Sequence, residues 1–300
     1  MNVRKYLFFS SLIIFLLGIG TGCEHKDQPF ATQEPIKIAV NPWIGYTPLM
    51  YLDQNGTLAK LGFKLVYVSS LGENANLLSN HLVDGFAATQ YEYLNYKDEL
   101  DTIVPVFTID RSAGADKVHS NVDITTLQHS DRPIDVYLEF GSVNEDLLKV
   151  FLKTYHLEKK TFRYHHDPQS VIKTLKDRPD RLVIVISYEP FSSLLEKNGI
   201  HEVASSRDLD ILIVDALFSS TQLLHARKEA FIALKKAFWQ AQRLLMKNPD
   251  DFYRQIRPYI EGQSLKDFRK SLEGIQWLPS PSPAILKKLE EEGIDTRYML

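Results

Sequence analysis

Residues 36–48 read IKIAVNPWIGYTP, and the fold turns on how this stretch is understood. Ile36, Ile38 and Val40 recur at every second position, the period of a strand with one buried face. Asn41-Pro42 stops that pattern, and Thr47-Pro48 supplies an N-cap residue followed by a proline suited to the first helical position. Strand, loop and helix start in this order put the loop where the strand's carboxyl end meets the helix's free N–H groups, a common ligand lip in α/β sheets. Within the loop, Trp43, Gly45 and Tyr46 set two aromatic rings around a glycine. The rings either stack on a flat or apolar solute or fill a gap under the loop.

Working outward, strand-like and helix-like segments alternate, the rhythm of an α/β lobe. After a helix over about 47–55, strands are predicted at 63–68 and 85–88 around a helix at 72–81. Thr89-Gln90-Tyr91-Glu92 has the form of a capping box, so a helix starts directly after the third strand. There Thr89 and Gln90 either face a cleft or merely cap. Residues 102–109 are β-branched but contain Pro105, which points to an edge or crossing strand. The polar, glycine-containing stretch 110–116 then reads as a hinge.

The alternation restarts beyond it. A strand at 134–138 precedes a second capping box, Ser142-Val143-Asn144-Glu145, whose helix carries Leu148, Phe151, Leu152 and Tyr155 on one face. Strand 161–165 leads to Asp167-Pro168, expected to cap a helix through about 176. The apolar run 182–186 is a buried strand, and Glu189-Pro190 opens a helix stopped by Gly199. Residues 210–217 look like a return crossing. The chain then turns helical: Phe231, Leu234, Phe238, Ala241 and Leu245 form an amphipathic stripe, with further helices near 249–257, 264–273 and 283–292. No repeat interrupts this order.

The 300 residues are 44% hydrophobic and 24% charged, enough for one large domain or two lobes with separate cores. A formal net charge of -3 offers no basic face to neutralise phosphates, which argues against a nucleic-acid partner. Residues 1–23 carry Arg4 and Lys5 before an apolar core too short for a comfortable membrane span, then small residues ending at Cys23. This is a secretory signal with a lipobox-like end, although Gly20 stands where leucine is usual. Cleavage would leave Cys23, the one cysteine of the chain, as a lipidated N-terminus, and residues 24–33 as a polar tether. A body without cysteine has no disulfide, thiol nucleophile or cysteine metal site.

Signs of catalysis are lacking. His165-His166-Asp167 is a dense group of metal-ligand types, but neighbouring strand residues point to opposite faces and Asp167 is wanted as a cap, so no metal is expected. No nucleophile elbow, H-E-x-x-H or phosphate-binding glycine loop occurs, and no cofactor is expected. What recurs is a polar or aromatic strand-to-helix turn: at 43–47, at Thr89 and Gln90, at Glu139, Gly141 and Ser142, and at Tyr188 and Glu189. In a two-lobed α/β protein such turns gather at an inter-lobe cleft. Free helix-start N–H groups would favour an anionic ligand group, whereas Glu139 and Glu189 would favour a cationic or amino group, so the sign of the ligand stays open.

Taken together, these motifs resemble the nitrate/sulfonate/taurine class of ABC transporter substrate-binding proteins, which includes binders of thiamine-precursor pyrimidines. W-x-G-Y-x-P-L matches at 43–49, V-D-G-F-A-A-T-x-x-E at 83–92, S-x-G-A-D at 112–116, Gly-Ser at Gly141-Ser142 and aromatic-Glu-Pro at 188–190. Asp215 and the two residues after it resemble the return into the first lobe. Tyr188 stands where tryptophan is common, and Phe218-Ser219-Ser220 lacks an anion-binding arginine. The resemblance, over about 36–251, implies a two-lobed type II periplasmic binding protein fold, with lobe one at 34–109 and 212–300, lobe two at 110–211, and two crossing strands.

The resemblance also implies a monomeric lipoprotein at the periplasmic side of the cell envelope, passing a small organic or anionic solute to an ABC permease. A subunit presenting solute to a membrane sensor is the alternative. Trp43 and Tyr46 would pack the solute, Thr89 and Ser142 would hold a polar end, and Glu189 would orient an amine or ring nitrogen. Pyrimidine synthases share the fold but depend on a cysteine-rich segment that this chain lacks, so it is read as a binder and not an enzyme.

Overall fold

The computed structural model describes residues 34–300 apart from 100, 101 and 261. The expected signal segment, Cys23 and the tether lie outside the described residues. Two mixed sheets organise the rest. The first contains β1 (Ile36–Val40), β2 (Phe63–Tyr67), β3 (Gly85–Thr89), β4 (Ile103–Ser112), β10 (Val214–Ser220) and β11 (Ile275–Trp277), in the order β11-β4-β10-β3-β1-β2. The second contains β5 (Asp116–Ser120), β6 (Ile134–Leu138), β7 (Phe162–His166), β8 (Leu182–Tyr188) and β9 (His201–Ser205), in the order β7-β6-β8-β5-β9. Each sheet and its helices form a lobe. The chain passes between the lobes twice, through residues 113–115 and 206–213.

The strands form where β-branched and aromatic residues bury both faces. β3 and β8 are buried at every residue, as central strands covered by helices on both sides must be. β4 differs from its expected place. It is not an edge strand: β10 pairs along its length and β11 covers its carboxyl half, at Asp110, Arg111 and Ser112. Its Pro105 sits in the half that β11 leaves open, beside a register shift, where a missing N–H is tolerated. Residues 110–112, expected in the second lobe, therefore pair within the first sheet.

Local chemistry sets the helix starts. α1 (Thr47–Gln54) is preceded by a 3-10 turn, Ile44–Tyr46, so Tyr46 occupies the N-cap position and the Thr47 hydroxyl donates back to the Ile44 carbonyl. The loop around Trp43 is thus wound into the fold rather than extended outward. Thr89 and Glu92 make a complete capping box at α4 (Gln90–Asn95). At α6 (Val143–Thr154), Ser142 caps, but Glu145 accepts from Gly141 N–H one residue earlier than a capping box requires. The helix expected through about 176 is only α7 (Gln169–Ile172), and Asp167 does not cap it; Pro168 precedes it with no side-chain bond.

The C-terminal helices, α10 (Lys228–Lys247), α11 (Pro249–Ile256), α12 (Leu265–Leu272) and α13 (Pro283–Glu291), pack on the first lobe. The stripe Phe231, Leu234, Phe238, Ala241 and Leu245 is fully buried. Phe231 meets Phe63 of β2 edge-on at 5.3 Å. Burial of each large apolar side chain stabilises the lobe by about 1.5–3 kcal/mol.

Candidate functional site

The carboxyl ends of β1, β3, β4, β6 and β8 meet at the seam between the lobes, and the lobes touch there. Asn41 Nδ2, after β1, donates to Tyr188 Oη at the end of β8 at 3.3 Å. Trp43 packs edge-on against Tyr188, ring centres 5.9 Å apart, and Ile44 N–H donates to the Glu189 carbonyl at 3.2 Å. Two carboxylates cross the seam in opposite directions. Glu92 of the first lobe accepts from Val143 N–H of the second at 2.7 Å. Glu139 of the second accepts from Leu71 N–H of the first at 3.1 Å and from its own lobe's Gln169 N–H at 2.9 Å. This is a closed arrangement.

A row of polar side chains lies across the first sheet at this seam. Thr89, Asp215, Asp110 and Trp277 are register partners on β3, β10, β4 and β11, so their side chains share one sheet face with Cβ atoms about 5 Å apart between neighbours. Asp110 Oδ2 accepts from Trp43 Nε1 at 3.3 Å, and Asp215 Oδ1 accepts from Tyr46 Oη. The other oxygens, Asp110 Oδ1 and Asp215 Oδ2, have no partner, nor does Asn41 Oδ1. All three residues are buried. Gly45 is required here, since a Cβ would run into Asp110 Oδ2 and Trp43 Nε1.

Burial governs the electrostatics. It pushes the Asp110 and Asp215 carboxyls well above the usual range, with Asp116 adding to the rise at Asp110 and Asp110 adding to that at Asp215. Burial likewise pushes Asp116, at the start of β5, up to about 7. Glu139 is also pushed up to about 7 by burial, against the lowering effect of the Leu71 and Gln169 N–H groups.

Of the residues singled out in the sequence, Trp43, Gly45, Tyr46 and Tyr188 come together around Asp110, Asp215 and Asn41. Thr89 is adjacent, but its hydroxyl is engaged by Glu92 and Tyr91 N–H. Gln90 is turned into the first lobe, its amide spent on Leu212 and Val214 backbone. Glu139, Gly141 and Ser142 build the seam around the α6 start, Ser142 Oγ donating to the Glu139 carbonyl at 2.8 Å. Gly141 there adopts φ +71°, a conformation costly for other residues. Glu189 is not free to orient an amine. Its carboxylate accepts from Lys117 Nζ and Ser192 Oγ at 3.0 Å and from Gln263 Nε2 at 3.1 Å, making it a hinge-side anchor.

The helix starts expected to hold an anion are occupied by the protein itself. Val143 and Thr89 N–H donate to Glu92, Tyr91 N–H to Thr89 Oγ1, Asn144 N–H to Ser142 Oγ, and Gly141 N–H to Glu145. His165 and His166 point to opposite sides, stacking on Tyr137 and Phe140 respectively. Among the described residues no group of three metal-ligating side chains converges, and no helix is long and apolar enough to cross a membrane.

The residues that sequence reasoning missed as site groups are Asp110, Asp116 and Asp215. A signal was present: an aspartate ends the apolar Val104–Ile109 run and another sits inside Ile211-Leu212-Ile213-Val214-Asp215-Ala216-Leu217, where a charge is costly without a purpose. Open hollows border the seam and also lie beyond it: one of about 640 Å³ sits between Asn95 of α4 and Phe140, Glu145 and Leu148 of the second lobe, and one of about 230 Å³ has Lys117 and Glu189 in its wall. One of about 520 Å³, lined by Leu78, Asp84, Ile103 and Ser220, sits at the other ends of β3 and β10.

No protein-family model and no curated protein matches the chain. Solved structures do. The periplasmic aliphatic sulphonate binding protein SsuA of Escherichia coli matches with TM-score 0.69 and 12% identity, over 87% of this chain and 91% of that one. The ligand-binding component of an ABC-type import system of Staphylococcus aureus, solved with zinc bound, matches with TM-score 0.67 and 17% identity, over 86% and 90%. The nitrate-binding protein NrtA of Synechocystis PCC 6803 gives TM-score 0.62 and 13% identity, over 80% and 70%. At these identities the likeness defines the fold: this chain has the two-lobed periplasmic binding protein fold.

Proposed function

We propose that this chain is an extracytoplasmic solute-binding protein of an ABC import system, which takes up a small solute between its lobes and presents the closed form to a permease. The observation that carries this reading is the seam itself: buried polar groups from both lobes meet there, and Asn41 Oδ1, Asp110 Oδ1 and Asp215 Oδ2 have no partner. The fold's neighbours, binding proteins for sulphonate and nitrate, support the same role. Trp43, Tyr46 and Tyr188 form the apolar wall, and Asn41, Asp110 and Asp215 the polar contacts. The first sheet with its helices, and the second sheet with its helices, would move as the two closing bodies about the crossings at 113–115 and 206–213. A signal peptide over residues 1–22 and lipid on Cys23 would hold the monomer at the periplasmic side of the envelope.

Closure is stabilised only by solute that contacts both lobes, in proportion to its preference for the closed state. Small-angle scattering of the purified chain tests this: added solute shrinks the radius of gyration, and a chain that never closes with any solute refutes the reading. Deletion in cells then separates roles. Loss of uptake supports delivery to a permease, whereas intact uptake with loss of a transcriptional response indicates a sensor partner.

A further inference from the structure

Besides Glu139, four carboxyls crowd the seam. Asp110 and Asp215 face each other across paired strands, Asp116 opens β5, and Glu92 caps α4; all four are at most 3% exposed. The charges acting on Asp215 are those of Asp110, Asp116 and Glu92, with no basic side chain among them. Nearby cations are directed elsewhere. Lys117 pairs with Glu189 and Glu202. Arg111, the next residue of β4, projects to the opposite sheet face by strand alternation, and its Nε has no partner.

An independent observation points the same way. Asn41, fully buried, has an unpartnered Oδ1, and its amide is fixed toward the site by Tyr188, the ring that abuts Trp43. With Asp110 Oδ1 and Asp215 Oδ2, the seam has three orphaned oxygens, all acceptors once the carboxyls are ionised, beside two orphaned donors, Asn144 Nδ2 at the α6 start and Trp277 Nε1 next to Asp110. The helix-start N–H groups at Thr89, Tyr91, Gly141, Val143 and Asn144 are already taken by the protein's own oxygens. An anionic solute would add charge of the same sign where those donors are already used. A cation with N–H groups supplies both the missing charge and the missing donors. The absence of converging metal ligands among the described residues favours an organic cation.

We propose that the solute carries a protonated nitrogen bearing N–H groups, an ammonium, amidinium or protonated amino-heterocycle, held between Asp110 and Asp215 with Asn41 accepting a further hydrogen bond. This rests on the solute-binding reading above.

The test is thermal denaturation and titration calorimetry of the full chain with two sets of probes. Agmatine, guanidinium and 4-aminopyridine are the N–H cations, with choline as a cation lacking N–H; ethanesulfonate and nitrate are the anions. An N–H cation raises the melting temperature and binds more tightly than choline, and Asp215→Asn and Asp110→Asn each weaken it about a hundredfold without lowering the melting temperature of the unliganded chain. Any solute released by denaturing the purified chain is scored by its charge at neutral pH. Binding of ethanesulfonate or nitrate but no cation, or release of an anionic solute, overturns the cationic proposal and leaves the solute-binding reading standing. If no probe binds and nothing is released, both fall.

Discussion

Replacing Asp215 by asparagine should make the unliganded protein more stable while damaging its site. The carboxyl is 2% exposed, faces Asp110 across the β10–β4 pair, and receives one hydrogen bond, from Tyr46 Oη. Its ordinary pKa is 3.8 and burial raises it well above that, so this carboxyl works against the folded state as pH rises above the ordinary carboxylate range. Leaving it ionised costs more than holding it neutral, because Asp110 and Asp116 repel it. Asparagine keeps an acceptor for Tyr46 and removes the titration. Its own amide loses hydration, so the expected net gain is about 1–3 kcal/mol, or about 2–4 °C in melting temperature per kcal/mol.

The sign with pH follows. A carboxyl raised in the folded state binds its proton more tightly there than in the unfolded chain. Its contribution is therefore fully present below the ordinary carboxylate pKa and is lost as pH rises toward the raised value. The wild-type chain without solute should lose stability between about pH 4 and pH 7, with Asp116 and Glu139 adding to the slope, since both are pushed up to about 7. Asp215→Asn should flatten that slope. Urea unfolding at about pH 5 and pH 7.5 measures both effects. A variant less stable than wild type at neutral pH, with an unchanged slope, would refute the reasoning.

Other outcomes follow from the same contacts. Glu92→Ala strips the acceptor from buried Val143 N–H and unties the α4 cap; closure should weaken, with solute dissociation faster by about tenfold or more in stopped-flow measurements, as expected for about 1–3 kcal/mol. Gly45→Ala should displace Asp110 or Trp43 and cost about 1–3 kcal/mol of stability, readable by urea unfolding. Lys117→Met leaves Glu189 buried without its ion partner, and should cost about 3–5 kcal/mol although Lys117 does not line the site; full retention of stability would show that Ser192 and Gln263 suffice. Trp43→Ala should cost about 3–5 kcal/mol because the ring is 4% exposed, so Trp43→Phe, which keeps most of the packing and deletes the N–H to Asp110, is the variant that isolates the solute contact in calorimetry.

Periodicity made most of the fold legible. β1, β2, β3, β6 and β8 are long enough, and apolar or β-branched enough, to stand out at period two, and the α10 stripe stands out at period three to four. Three strands escaped notice. β5 (DKVHS) and β9 (HEVAS) carry charged and polar residues whose partners come from other elements, and β11 has only three residues and is defined by its pairing with β4.

The site was readable at its aromatic wall and less so at its polar core. Trp43, Gly45, Tyr46 and Tyr188 sit in turns with recognisable local chemistry. Asp110 and Asp215 meet only because β10 returns antiparallel beside β4 from more than a hundred residues away, a juxtaposition no local pattern encodes. The roles of Glu139 and Glu189 were obscured for the same reason: their partners, Leu71 and Lys117, lie in distant parts of the chain.

A structure of the chain with its solute bound tests the central claim most directly. The solute is expected between the lobes, with a protonated nitrogen within hydrogen-bond distance, about 2.7–3.2 Å, of Asp110 Oδ1 or Asp215 Oδ2 and the solute body against Trp43 and Tyr188. A solute seated in the hollow by Leu78 and Ser220, or an anionic group displacing Glu92 from the start of α6, would contradict it.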